Sequence, residues 1–486
     1  MVFNSLEFVG FFLVVYALYR WLPHRAQNWM LVGASYYFYA AWDWRFLGLL
    51  IGSTVVDFFV GRYLGREPAP GSSSPQRRRR EGGRRRLALI LSLVFNLGMI
   101  GVFKYFNFFA DSLVRVFSWI GWRVDPVTVN VILPIGISFY TFMTISYVID
   151  VYRRDIRPTS NFIDFALFVG YFPHLVAGPI LRASLLLPQI ARPRVITQAQ
   201  IVEGLWLAGW GYFQKMFVAD NLARLVAAVF GPGATPTGLD VLIAVYAFAF
   251  QIYGDFAGYS NIARGISKLM GIELNVNFLF PYFVVSPQEF WRNWHISLST
   301  WLRDYLYIPL GGNRGSSLAT KRNLLITMVL GGLWHGAAWT FVLWGVYQGL
   351  ALVVARTIQE WSARAGVTIG RGLTWPRVAL GVLMFQVTCF GWLIFRAESV
   401  AQVARFSHVL ATDFHPGPST VRSLLIPFLE IVAPLLVVHI YQARHGSESA
   451  PLSLRTVTRY ALYGAVGYLI LLFGDFEGAQ FIYFQF

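Results

Sequence analysis

Two histidines stand where this sequence can most readily do chemistry: His335, in GGLWHGAAW, and His295, in WRNWHISL. A neutral imidazole titrates near pH 6.5 and can take a proton from a hydroxyl. Other titratable and polar groups crowd the same stretch, residues 251–345. Gln251 and Asp255 are four apart, so a helix would place them on one face. Tyr253 and Tyr259 flank Asp255, Trp334 adjoins His335, and Arg303 is followed directly by Asp304. These seven residues are candidates to line a polar path to the histidines. For Asp304, pairing with Arg303 or Arg314 is the stronger reading.

Other reaction classes do not find their residues. There is no Walker loop, no dinucleotide fingerprint and no G-x-S-x-G nucleophile elbow. The two histidines lie 40 positions apart, which is not a metal-ligand spacing. The lone cysteine, Cys389, sits in an apolar run and reads as a buried thiol. A disulfide framework and a multi-cysteine metal site are excluded.

The elements that must position these groups are membrane helices. Of the 486 residues, 56% are hydrophobic and 13% charged, against about a quarter charged in soluble domains. Stretches near 87–103, 239–258, 376–395 and 457–473 are each long enough to cross a hydrocarbon core of about 30 Å. Spans are expected near 6–22, 29–40, 44–64, 87–110, 131–151, 161–178, 200–219, 239–258, 323–358 (broken), 376–396, 424–441 and 457–474. Several are short, which predicts tilted or re-entrant segments. The expected fold is an all-α, polytopic membrane domain over 1–486, with roughly 10–12 spans and its motif core at 251–345. The apolar run 8–18 has no small-residue cleavage site after it, so it reads as a first span.

The net charge of +16 reflects Arg placement between spans, so nucleic acid is not an expected partner. Residues 65–86 hold Arg66, Arg77 to Arg80 and Arg84 to Arg86 against Glu67 and Glu81. This Gly-, Pro- and Ser-containing segment reads as a flexible cytoplasmic loop. Counting back places the N-terminus outside. His335 lies 13 residues beyond Arg322, a helical rise of roughly 20 Å, so it sits well inside the bilayer. A titratable group at that depth is a functional candidate by default. Depth and the neighbouring Gly331, Gly332 and Gly336 fit a general base and a buried, hydrogen-bonded histidine equally well. For His295, in a Trp- and Arg-rich segment suited to a membrane boundary, the structural reading is the stronger one on residues alone.

Longer motifs carry a resemblance. QIYGDFAG (251–258), FWRNWHISLSTWLRDYLYIPLGGNR (290–314) and GGLWHGAAWTFVLWG (331–345) closely resemble the membrane-bound O-acyltransferase family, in its bacterial alginate O-acetylation branch. The opening MVFNSLEFVGFFL, LPIGISFYTFMTISYVIDVYR (133–153), FPHLVAGPILR (172–182) and the terminal FIYFQF fit the same branch. The resemblance implies a ring of helices around a thin centre, where a tunnel brings a cytoplasmic acyl donor to an acceptor from the other face. It implies His335 as the catalytic base and His295 as a second site residue. It implies acetyl-CoA as donor substrate with no bound cofactor. It also implies an extracytoplasmic SGNH-hydrolase-like acetyltransferase as partner, a polysaccharide as final acceptor, and the bacterial inner membrane as location. D-alanyl or other acyl transfer to teichoic acid, peptidoglycan or lipid is the alternative within the class. A transporter is the alternative outside it, but no inverted repeat is visible. Where family members often read QIYCDFSGYSDIA, this chain reads QIYGDFAGYSNIA: Gly254, Ala257 and Asn261 replace a thiol, a hydroxyl and a carboxylate, while Asp255 and Tyr259 remain.

Overall fold

The computed structural model describes residues 1–66, 75–125, 128–129, 132–176, 178–364, 374–476 and 481–482, with the backbone alone for 75–79. It is all-helical, with no strand among the described residues. Seven helical runs there are long and apolar enough to cross a membrane: His24–Leu64, Arg80–Trp119, Gly238–Leu269, Trp339–Arg364, Trp375–Arg396, Thr420–His445 and Thr456–Phe473. Many of their outward side chains are apolar. Val457 is 83% exposed and Leu471 72%, a surface that water would penalise and lipid tails cover. The protein is a multi-pass membrane protein.

The remaining expected spans are shorter or interrupted. The segment near 131–151 is helical over Ile137–Arg153. The one near 161–178 splits into Phe162–Gly170 and Phe172–Leu175. The one near 200–219 runs as Gln198–Tyr212 and continues as a π-helical turn, Phe213–Ala219. The expected break in 323–358 is real: Ser317–His335 ends at the histidine and Trp339–Arg364 begins four residues later. The short 29–40 segment is longer than hydropathy suggests, spanning His24–Asp43, because its polar residues are also helix-compatible.

The Arg-rich segment departs from the expected flexible loop. Pro75–Ile100 is one helix, so residues 75–86 are its first turns; the expected loop at 67–74 lies outside the described residues. Arginine is a good helix former, and the apolar run from Leu87 propagates the same helix.

The chain divides into two compact units. One comprises Met1–Ile201 with Ile266–Leu274, the other Val202–Gly265 with Asn275–Phe486. In the first, three helices share a fully buried polar network. Asp57, on Leu47–Leu64, accepts from Ser92 Oγ at 2.5 Å and from Asn96 Nδ2 at 2.8 Å. Ser53 Oγ donates to Asn96 Oδ1 at 2.7 Å, and Thr144 Oγ1 on Ile137–Arg153 lies 3.3 Å from Ser53 Oγ. Gly61 brings the helices close, since a Cβ there would meet the Tyr147 ring at 2.6 Å. Hydrogen bonds between membrane helices contribute roughly 0.6 kcal/mol each, but a buried donor left without an acceptor costs about 1–3 kcal/mol. Asp57→Ala strands both donors, and is expected to lower the thermal unfolding midpoint of the detergent-solubilised protein by several degrees. Asp57→Asn, which retains an acceptor, is expected to lose less than half as much. Equal midpoints for both variants would show that the network carries no such weight.

Candidate active site

The second unit carries every residue singled out by chemistry. His335 is the last residue of Ser317–His335, a helix started by Ser316, whose hydroxyl accepts from Ala319 N–H. This helix folds back on Trp339–Arg364 at very close range. A Cβ on Gly332 would lie 2.3 Å from the Phe341 carbonyl, and one on Gly345 would lie 2.5 Å from the Met328 carbonyl. At the turn, a Cβ on Gly336 would strike the Phe341 ring at 2.1 Å. The glycines around the histidine are therefore what permits the hairpin.

The hairpin sets the His335 ring, 4% exposed, among aromatic edges. Trp334 and Trp344 lie 5.0 Å away between centroids and Phe395 5.4 Å, all near perpendicular. Trp334 also lies 6.0 Å from His295. One indole thus joins the two histidines that are distant in sequence, and the aromatic walls exclude water from both.

His295 is fully buried and sits between two short helices, Pro287–Asn293 and Ile296–Leu302. The first is locally encoded: Pro287 opens it, the Ser286 hydroxyl accepts from Glu289 N–H, and Glu289 accepts from Val285 N–H, a variant of the capping box. The chain then turns with His295 at φ +42°. This left-handed conformation costs a residue with a Cβ energy unless its surroundings enforce it. Asn277 does the enforcing. Its main-chain carbonyl accepts from Ile296 N–H at 2.9 Å. Its Oδ1 accepts from Ser297 N–H at 3.2 Å and Ser297 Oγ at 2.9 Å, and lies 3.3 Å from His295 Nδ1. Phe256 closes the other side, 4.6 Å from the imidazole.

Of the remaining candidates, Trp334 is in this cluster and the others surround it or fall outside. Tyr253 OH lies 3.2 Å from Nε2 of a third buried histidine, His439, beside a cavity of about 170 Å³ walled by Phe250, Phe280, Tyr282 and Phe385. Gln251 buries its Oε1 without a hydrogen-bond partner among the described residues. Asp255 is held by an ion pair and a main-chain hydrogen bond. Its Oδ1 is 2.8 Å from Lys215 Nζ, and its Oδ2 accepts from the main-chain N–H of Ile482 at 2.7 Å. Lys215 also meets Asp220 at 2.7 Å, and its ammonium lies 5.9 Å from the centre of the Tyr259 ring. Arg303 and Asp304 lie near the surface. They pair with each other at 2.7 Å, with side chains 59% and 34% exposed, because the π-helical turn Arg303–Tyr307 buries none of its residues.

Sequence reading therefore missed Lys215, Asp220, Asn277 and His439. The only available signal for the first two was a Lys and an Asp five apart in an apolar stretch. Near the end of the chain, Phe481 and Ile482 are buried. Phe481 is 1% exposed, 4.5 Å from Tyr259 and 5.7 Å from Phe256, because Asp255 holds the adjoining amide; residues 483–486 lie outside the described residues. Cys389 is buried, as expected, and no metal-binding cluster occurs among the described residues.

Two of the three departures from the family pattern, Gly254 and Asn261, have local reasons. A Cβ on Gly254 would meet the Gln214 carbonyl at 2.8 Å, so glycine lets Gly238–Leu269 seat against the Phe213–Ala219 turn. Asn261 donates to Gln214 Oε1 and accepts from Arg264, whose charge is met by Glu448 at 2.5 Å. The carboxylate absent at position 261 is thus replaced from another element.

Comparison with known proteins agrees with the motifs. A sequence model of the MBOAT, membrane-bound O-acyltransferase family, matches residues 129–390. The chain belongs to this family. It is 44% identical over 92% of its length, and 85% of the relative's, to a probable alginate O-acetylase AlgI of Azotobacter vinelandii. It is 44% identical over 83% of its length to that of Pseudomonas aeruginosa, covering 73% of the relative. A peptidoglycan O-acetyltransferase of Helicobacter pylori is 34% identical over 82% of this chain and 76% of its own. As a family member the protein is an O-acyltransferase, and His335, His295, Trp334, Trp344 and Asn277 lie within the matched region, with Phe395 just beyond it.

Proposed function

We propose that this O-acyltransferase takes acetyl groups from cytoplasmic acetyl-CoA and delivers them across the bacterial inner membrane for O-acetylation of an extracytoplasmic polysaccharide. The observation that carries the reading is the 44% identity to a probable alginate O-acetylase over 92% of the chain. Teichoic acid D-alanyltransferases are more distant, at 27% over 64% of the chain for that of Streptococcus thermophilus, so acetyl is favoured over D-alanyl.

In this reading His335 is the general base. Its imidazole takes the proton of an acceptor hydroxyl, the oxygen attacks the thioester carbonyl carbon, and the carbon–sulfur bond breaks. The departing thiolate takes the proton back, so the histidine is restored and CoA leaves as the thiol. Burial among Trp334, Trp344 and Phe395 supports this role, since a dry site protects the thioester from water. His295, joined to His335 through Trp334, is the second site residue. The Arg-rich segment supports a cytoplasmic face at 65–86 and an outside N-terminus. An extracytoplasmic SGNH-hydrolase-like acetyltransferase completes the transfer to the polymer.

Purified protein in liposomes given acetyl-CoA labelled in the acetyl group is expected to release CoA thiol and move label to an acceptor. Turnover with a D-alanyl carrier-protein thioester and none with acetyl-CoA would overturn the acetyl reading.

A further inference from the structure

We propose that Asn277 is a positioning residue that fixes His295 in one tautomer, with the proton on Nδ1 and the basic lone pair on Nε2. The inference rests on the reading of His295 as a site residue and specifies what that residue can do there.

The argument begins with the Asn277 amide. Oxygen and nitrogen of an amide are distinguished by their partners. The atom assigned Oδ1 receives the main-chain N–H of Ser297 at 3.2 Å. A main-chain N–H can only donate, so this atom is the oxygen. The other end is then the nitrogen, and it donates to Ser260 Oγ at 3.3 Å. Oδ1 can only accept, and it lies 3.3 Å from His295 Nδ1. Two acceptors do not attract, so Nδ1 must bring the hydrogen. The second neighbour of Nδ1 agrees. Ser297 Oγ, 3.5 Å away, gives its own hydrogen to Asn277 Oδ1 at 2.9 Å, and so presents only lone pairs to the ring. Asn277 Oδ1 and Ser297 Oγ thus both face Nδ1 as acceptors.

The arrangement is held from two sides. Asn277 is 1% exposed, and its main-chain carbonyl also receives Ile296 N–H, so one residue secures the residue after the histidine and one ring nitrogen. The left-handed backbone of His295 brings its ring back over this side chain. A neutral His295 therefore offers its partner a proton acceptor at Nε2. It can receive a proton or accept a hydrogen bond from an O–H or N–H of a substrate, but it cannot donate to an oxyanion while neutral. That division leaves any oxyanion donor to other groups.

The test uses full-length protein labelled with ¹⁵N-histidine, with His295 signals assigned by their loss in His295→Ala. Wild type is expected to show a protonated Nδ1 and an unprotonated Nε2. In Asn277→Leu the Nε2-protonated form should appear, and kcat should fall on the order of 10²-fold with KM little changed. Asn277→Asp keeps the acceptor and should hold both the tautomer and most of kcat. An unprotonated Nδ1 in wild type, or wild-type kcat in Asn277→Leu, would overturn the proposal. If Asn277→Leu does not fold, the wild-type and Asn277→Asp spectra decide it. Full turnover in His295→Ala would instead remove His295 from the reaction, while the spectra still decide the role of Asn277.

Discussion

His335→Ala is expected to lower acyl transfer by about 10²–10⁴-fold, the usual contribution of a positioned general base, with acetyl-CoA binding largely kept. The cause is local. His335 ends its helix, and nothing beyond Gly336 in the turn can replace an imidazole. Trp334, Trp344 and Phe395 stand against the ring, and none of these three can take a proton at neutral pH. Water is a poor substitute where aromatic walls exclude it. Alanine leaves a gap beside those rings, so some stability is lost as well, roughly 1–3 kcal/mol. His335→Gln separates the two effects, because it fills the space without supplying a base. Both variants should be as inactive as each other when labelled acetyl transfer is followed, with unfolding midpoints that differ. Glutamine restoring turnover would assign His335 a packing role.

Lys215→Met is expected to be the most destabilising single change in the second unit. Lys215 stands between Asp220 and Asp255, with all three side chains 5% exposed or less. Removing this cation leaves two carboxylates close together in a poorly solvated interior. Breaking a buried ion pair in this way costs about 3–5 kcal/mol, well above the median surface pair at 0–1 kcal/mol. The damage should spread along Asp255, which also accepts from the Ile482 amide, so the Phe481 ring should leave its place against Tyr259. Thermal unfolding measures the first effect. Maleimide labelling of Ile482→Cys in a Cys389→Ser background measures the second, as slow labelling with Lys215 present and fast labelling without it. Adding Asp220→Asn and Asp255→Asn to Lys215→Met should recover much of the midpoint by removing the repulsion. An unchanged midpoint in Lys215→Met would show that the cluster is not a stability element.

The sequence by itself determined the environment and the reaction class. Apolar stretches of span length can satisfy their backbone only as helices in lipid, so hydropathy sufficed for the all-α membrane protein. A break within 323–358 was legible because 36 residues exceed the roughly 20 that one span needs. The W-H-G and W-H-I-S motifs named both histidines, and long local matches pointed to the O-acyltransferase family. Local signals also misled at the Arg-rich segment: an Arg- and Gly-rich stretch reads as a loop, yet residues 75–86 join the helix that the next apolar run propagates.

Only the tertiary structure decided which polar groups meet. Asp255 and Asp304 look alike in sequence, each beside aromatic residues, but one faces Lys215 in the interior and the other pairs with Arg303 at the surface. In a membrane protein both faces of a helix are apolar, so composition does not reveal which side turns inward. Asn277 lies 18 positions before His295, and Ile482 lies 227 beyond Asp255. Each contact is made by a residue outside the long helices, Asn277 in a connecting segment and Ile482 near the end of the chain, and a hydrogen bond at 3 Å depends on tertiary packing, which no spacing along the chain records.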